Sequence, residues 1–245
     1  MKLAIVQHDV AWEDKEGTKK RIRHLLSQFT QKADLMIFPE MTLSGFSMHK
    51  AKTEMTTKDC VFFRDLAKKF ACTVMYGGIE NGFNICRALT KCRSEIHDYR
   101  KVHLFTYAGE DKAYKSGIGC LGFVLNKVRI TPSICYDLRF PYLYWSKAET
   151  TDLYVNIANW PSVRSEHWKT LLRARAIENQ AFVVGVNRVG TDPQCEYSGG
   201  SMVFSPTGEI LLDCGNEEGV YSIEIDINEV ENTRIKYPFL HDRLR

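Results

Sequence analysis

A chain of 245 residues suits one α/β domain, read here as a single unit over 1–245 with a sizeable core. Its 33 basic and 30 acidic residues leave a net charge of +3, which makes no case for nucleic acid or a membrane surface as partner. No apolar run approaches the ~20 residues of a membrane span, and the run within Met1–Asp9 is too short for a secretory signal, so the cytoplasm is the expected compartment.

Leu3 to His8 reads as a first strand, and Glu16 to Phe29 follows with Ile22, Leu25, Leu26 and Phe29 at helical spacing. Ala33 to Phe38 is a short apolar run, the mark of a buried parallel strand. It ends in Pro39-Glu40, which sets Glu40 at the C-terminal end of a strand. Strand, helix and strand in this order imply a right-handed crossover. Thr42 to Thr57 reads as loop. Asp59 to Phe70 carries Val61, Phe62, Leu66 and Phe70 on one helical face. Cys72 to Ile79 is a strand running into Asn81-Gly82, a strong hairpin signal, and Phe83–Leu89 and Glu95–Tyr99 continue it antiparallel. Arg100 to Phe105 then opens a loop through Glu110 to Gly117.

Leu121–Leu125 and Lys127–Ile134 form a second hairpin around Asn126, ending at Cys135. Tyr142 to Ala148 is a helix, and Asp152 to Ile157 a strand that ends at Asn159-Trp160-Pro161. Ser165 to Gln180 is a long helix with Trp168, Leu171, Leu172 and Ile177, and Phe182 to Asn187 a strand. Ser201–Phe204 and Ile210–Leu212 flank a turn at Ser205–Gly208. Val220 to Ile227 alternates apolar and polar, and Asn228 is placed to cap a last helix. The class is α/β with mixed sheets.

The eight cysteines, at 60, 72, 86, 92, 120, 135, 195 and 214, include no C-x-x-C pair and no zinc-like Cys/His set, and no H-E-x-x-H occurs. No structural metal is expected, and most of these thiols read as inert. Cys135 differs. It closes a strand within Thr131-Pro132-Ser133-Ile134-Cys135-Tyr136-Asp137-Leu138-Arg139-Phe140-Pro141 and faces the start of a helical segment. Ligands gather where strands end in open α/β sheets, and a helix N-terminus lowers a thiol pKa.

Three residues now stand at comparable positions: Glu40, Lys101 and Cys135. Acyl transfer to a thiol needs a base for the thiol proton, a cation for the oxyanion, and an acid for the leaving nitrogen. A carboxylate, a lysine and a cysteine cover these needs. A Cys–His hydrolase using His103 or His167 as base is a competing arrangement.

Phe38-Pro39-Glu40, Arg100-Lys101-Val102-His103-Leu104-Phe105 and Ile134-Cys135-Tyr136-Asp137-Leu138-Arg139-Phe140-Pro141 together resemble the nitrilase superfamily of carbon–nitrogen hydrolases, in that family's order. The resemblance runs from the first strand to about Ile227. It implies an α-β-β-α sandwich, without metal or cofactor, in which Glu40 is the base, Lys101 supports the oxyanion and Cys135 is the nucleophile. A second glutamate in the loop after the lysine is also a family feature, and Glu110 matches it. Ala158 to Trp168 and Arg173 to Gln180 look like the omega-amidase branch, which releases ammonia from 2-oxoglutaramate and 2-oxosuccinamate. Such a substrate needs a cation for its free carboxylate, and Arg139 and Arg164 are the candidates. Arg164 is favoured because Asp137 is close enough in sequence to occupy Arg139. Tyr136 and Trp160 are placed as further substrate contacts. The resemblance also implies a possible homodimer through Tyr142–Ala148 and the C-terminal segment. Other amide specificities, and a non-catalytic binding protein on the same fold, are the alternatives. Oxidation of Cys135 would be a liability of an activated thiol.

Overall fold

A computed structural model describes residues 1–90, 96–119 and 121–243, which leaves Glu95, Cys92 and Cys120 outside the described residues. Strand β1 (Lys2–Gln7) and strand β2 (Leu35–Ile37) are joined by helix α1 (Lys15–Leu25). Leu3–Val6 of β1 and all of β2 are apolar because both faces are covered. Leu3, Ile5, Leu35 and Ile37 enter one core cluster, while Ala4, Val6 and Met36 enter the other, the two-residue period of a strand.

A four-residue helix α2 (Lys50–Thr53) interrupts the expected loop 42–57. Helix α3 (Thr57–Phe70) is started by a capping box between Thr56 and Asp59. Its buried face carries Phe63 beside Phe62 and Leu66, and Val61 is turned outward. The phase is set by Phe63, which stacks on Tyr76 with ring centroids 3.6 Å apart. Strands β3 (Thr73–Glu80) and β4 (Phe83–Leu89) meet at Asn81-Gly82, where φ is 54° and 76°, as a two-residue hairpin turn requires. Strand β5 (Ile96–Arg100) follows. The expected loop after it contains another four-residue helix, α4 (Glu110–Ala113).

Strands β6 (Phe123–Leu125) and β7 (Val128–Ile134) form the second hairpin. Helix α5 is Pro141–Trp145, shorter than expected, and Ala148–Thr150 is a separate 3₁₀ turn. Strand β8 (Leu153–Ala158), helix α6 (Ser165–Asn179) and strand β9 (Phe182–Asn187) follow. A small hairpin of β10 (Val189–Thr191) and β11 (Glu196–Ser198) was not expected. Strands β12 (Met202–Phe204), β13 (Ile210–Asp213) and β14 (Gly219–Glu224) lead to helix α7 (Asn228–Lys236). Asn228 does not cap that helix. It is the first helical residue, and both its main-chain N–H and its amide donate to Asp226 Oδ1, at 3.1 and 2.8 Å.

The strands make two six-stranded sheets, in the orders β14-β1-β2-β3-β4-β5 and β13-β12-β9-β8-β7-β6. In each, three central strands are parallel and the flanking ones antiparallel. The sheets pack face to face, with Ile5, Ile37 and Met75 in the same cluster as Ile130, Val155 and Val184. Each such side chain contributes roughly 1.5–3 kcal/mol on burial. Helices α1 and α3 cover the first sheet through Ile22, Phe62 and Phe63. The second sheet is covered by Leu143 of α5 and by Trp168, Leu172 and Ala176 of α6. Ile177 is exposed, and Arg175 and Asn179 take the buried positions instead. This is the α-β-β-α sandwich that the resemblance implied. No helix among the described residues is long and apolar enough to cross a membrane. The ends of β2, β5, β7 and β8 deliver Glu40, Lys101, Cys135 and Asn159 to one region, where hydrogen bonds join them.

Candidate active site

Glu40 is held by the turn that ends β2. Met41 adopts φ of 43°, and Thr42 Oγ1 donates to Pro39 O at 2.6 Å while accepting from Gly77 N at 3.0 Å. Strand β3 approaches so closely that a Cβ on Gly77 would lie 2.5 Å from Met41 N and 2.7 Å from Glu40 Cα. Only glycine permits that seat. The result is a fully buried glutamate.

Lys101 leaves β5 and is equally buried. Its Nζ donates to Glu40 Oε1 at 2.8 Å and to Glu110 Oε2 at 2.9 Å. Burial pulls the ammonium pKa down, but the charges of Glu110 and Glu40 outweigh it and the net shift is upward. Lys101 is therefore a cation throughout the physiological range. Glu110 reaches this point because α4 folds back, and its Oε2 also accepts from Phe105 N at 2.6 Å. The amide of Asn84 fills the space between the acids, donating to Glu40 Oε1 at 2.8 Å and to Glu110 Oε1 at 2.9 Å. Two acids thus share one ammonium and one amide in a dry site, where unpaired charge would be costly. Asn84 was missed from sequence. Its only signal is a poor strand former between Phe83 and Ile85 in a strand.

Cys135 follows β7 with φ of 45°, in the left-handed region, and opens a five-residue 3₁₀ turn, Cys135–Arg139. The thiol pKa is pushed well above its usual value, first by burial and then by the charge of Glu40, with Lys101 opposing. The expectation of a thiol acidified by a helix N-terminus is overturned: the turn is short, and burial, then the charge of Glu40, raises the thiol instead. Such a thiol rests protonated and needs a base to act. Asn159 connects the parts. Its carbonyl accepts from Cys135 Sγ at 3.8 Å, and its main-chain N–H donates to Glu40 Oε2 at 3.0 Å. The turn is also braced by buried Arg175, which donates twice to Leu138 O, at 2.7 and 3.1 Å.

Cys135 and Lys101 open onto a cavity of 160 Å³. All four residues expected at the substrate, Tyr136, Arg139, Trp160 and Arg164, line it. Glu40 and Glu110 lie behind this wall, fully buried. Arg139 does not pair with Asp137, whose carboxylate turns inward to Tyr99, Ile134 and His103. Instead its guanidinium sits 4.8 Å from the Trp160 ring centroid and 3.2 Å from His167 Nδ1. Arg164 sits 5.7 Å from the Phe105 centroid. Among the described residues neither arginine forms an ion pair with a carboxylate. The β10–β11 hairpin adds Asp192, Cys195 and Tyr197 to the wall, and burial raises the pKa of the Cys195 thiol. Turn residues at Asp192-Pro193 were the available signal. Neither His103 nor His167 lines the cavity; the His103 ring bonds Asp137 and the Tyr142 hydroxyl, and His167 Nδ1 meets Arg139. Among the described residues, no group of three or more His, Cys, Asp or Glu is arranged to hold a metal ion.

Residues 2–235 match the carbon-nitrogen hydrolase family. The chain belongs to that family. This carbon–nitrogen hydrolase is 35% identical to omega-amidase YafV of Escherichia coli strain K12, over 99% of this chain and 96% of that one. It is 30% identical to 2-oxoglutaramate amidase of Bacillus subtilis strain 168, over 98% and 96% respectively. The crystal structure of XC1258 from Xanthomonas campestris, a CN-hydrolase superfamily protein with an arsenic adduct in the active site, matches it with a TM-score of 0.93 at 33% identity, covering 100% of this chain and 97% of that one.

Proposed function

We propose that this hydrolase cleaves the terminal amide of small keto-acid amides, 2-oxoglutaramate and 2-oxosuccinamate, to the acid and ammonia through a thioester on Cys135. The observation that carries the reading is one cavity that joins Cys135 and Lys101 to two arginines that form no ion pair with a carboxylate among the described residues. Relatives named omega-amidase and 2-oxoglutaramate amidase support it.

In this mechanism Cys135 Sγ attacks the amide carbon as its proton passes to Glu40. An ammonium has three N–H donors; on Lys101 one goes to Glu40 Oε1 at 2.8 Å, one is shared between Glu110 Oε2 and Oε1 at 2.9 and 3.1 Å, and the third meets the developing oxyanion. Glu40 returns the proton to nitrogen, the C–N bond breaks, and ammonia leaves. Water then attacks the thioester with Glu40 again as base, releasing the acid and the thiol. Glu110 keeps the ammonium in place. Arg164 or Arg139 grips the free carboxylate, and Tyr136 and Trp160 wall the chain between. A chain of four or five carbons sets the amide carbon roughly 3–3.5 Å from the sulfur.

The test is ammonia release from 2-oxoglutaramate, glutamine, asparagine, propionamide and a simple nitrile, side by side, with intact-mass detection of a thioester. Cys135→Ala should fold and be inactive. Equal turnover of propionamide and 2-oxoglutaramate would leave an amidase of another specificity, and an active Cys135→Ala would remove the mechanism.

We also propose the cytoplasm as the compartment, since the reaction requires a reduced thiol. For assembly we propose a homodimer through α5 and the C-terminal segment, where Tyr142 and Phe239 expose 60% and 64% of their surface. A monomer at all concentrations in light scattering would exclude it.

A further inference from the structure

Thiol and ammonium must stand at one separation for the attack to be stabilised, yet they come from different sheets. Lys101 follows β5 of the first and Cys135 follows β7 of the second. Cys135 also keeps a φ of 45°, which a residue with a Cβ adopts only when its surroundings impose it. The two problems meet at one side chain.

Asp137 is fully buried. Its Oδ2 accepts from Ile134 N at 3.0 Å, the residue just before the nucleophile, and from the Tyr99 hydroxyl at 2.7 Å, on β5. Its Oδ1 accepts from His103 N and from His103 Nδ1, both at 2.8 Å. A carboxylate only accepts, so Nδ1 carries the ring hydrogen. The imidazole is fixed from its other sides, stacked on Phe140 with centroids 3.7 Å apart and with Nε2 at the Tyr142 hydroxyl. One carboxylate therefore ties the residue before Cys135 to residues two before and two after Lys101.

We infer that Asp137 is a positioning residue of the reaction: bonding Ile134, Tyr99 and His103 at once, it sets the Cys135 thiol against the Lys101 ammonium across the two sheets. It is not among the residues lining the cavity, and it acts through the two residues it aligns. The inference rests on the roles proposed above for Cys135 and Lys101.

Misalignment of reacting groups costs turnover far more than binding. Asp137→Asn keeps the shape but sets an amide N–H against donors. Its kcat should fall by at least about tenfold with the KM for 2-oxoglutaramate changed by less than about twofold. Alkylation of Cys135 by iodoacetamide should slow in step. Asp137→Glu, which keeps the charge but lengthens the stem, should not restore turnover. Removing a buried carboxylate puts folding at risk, so Tyr99→Phe is the deciding variant. It deletes one of the donors and leaves the charge. Here kcat should fall by about threefold or more at unchanged KM, with little change in melting temperature. Wild-type kcat and alkylation in Tyr99→Phe overturn the inference, whether or not Asp137→Asn folds. An active Cys135→Ala would instead overturn the catalytic assignment beneath it, so the two failures are told apart.

Discussion

Asn159 donates its main-chain N–H to Glu40 Oε2 at 3.0 Å and its side-chain amide to the Glu40 carbonyl at 2.8 Å. The two residues are 119 positions apart in sequence and end strands of different sheets. Because the same Asn159 receives the Cys135 thiol, any shift between the sheets is felt by Glu40 and Cys135 together.

Glu40→Gln keeps the shape of the proposed base and removes its proton affinity. Turnover should drop by roughly 10²–10⁴, with acyl-enzyme formation the step that slows. Lys101→Ala should cost on the order of a hundredfold or more, and Lys101→Arg should not restore it, because a planar fork replaces a compact ammonium. Pre-steady-state ammonia bursts report both. Wild-type turnover in Glu40→Gln or Lys101→Ala would refute the assigned roles.

Asn84 separates two buried acids, so its loss should be felt as stability as well as turnover. Asn84→Ala leaves two carboxylate oxygens short of a donor and should cost about 1–3 kcal/mol in urea denaturation. Asn84→Asp adds a third acid to the same site and should be less stable still. The opposite ranking would mean that the amide is not what keeps the acids apart.

Two adjacent glycines give a contrast. A methyl group on Gly77 meets main-chain atoms of Glu40 and Met41, whereas one on Gly78 meets only the flexible Met55 side chain. Gly77→Ala should therefore displace Glu40, and turnover should fall on the order of a hundredfold if the shift approaches 1 Å. Gly78→Ala should stay near wild type. Similar kcat values for the two variants would contradict the close seat of Glu40 on β3.

Arg164→Ala should raise the KM for 2-oxoglutaramate by about tenfold or more, because a charge-assisted pair is lost, while leaving propionamide nearly unchanged. Arg139→Ala is the necessary comparison, since Asp137 does not occupy that guanidinium. The arginine whose loss discriminates between the two substrates reads the carboxylate. Equal effects on both substrates in both variants would exclude either from that task.

Burial holds the His8 ring down to about 4 from the usual 6.5. The unfolded chain therefore takes up this proton at higher pH than the folded one. The stability is fully present above pH 6.5 and is lost as pH falls toward 4, a change on the order of 3 kcal/mol. His8→Gln should flatten the fall of melting temperature across that window. Parallel acid limbs in the two proteins would show that His8 does not drive it.

Much of this protein is written in local pattern. The apolar runs of Leu3–Val6 and Ala33–Phe38, turn chemistry at Asn81-Gly82, and the words around Glu40, Lys101 and Cys135 are properties of neighbouring residues, and they determined the strands of the two large sheets, the first hairpin and the trio proposed to react. The four-residue helices α2 and α4 were not legible, because so short a helix is held by its surroundings more than by its own propensity. Nor was the inward turn of Asp137, which frees Arg139, nor the amide of Asn84 between two acids. Cys135 itself shows the division. Its place at a strand end is local, but its protonation is set by burial and by Glu40, which comes from the other sheet. Desolvation and charge act through space, so only the packing of the two sheets could decide them.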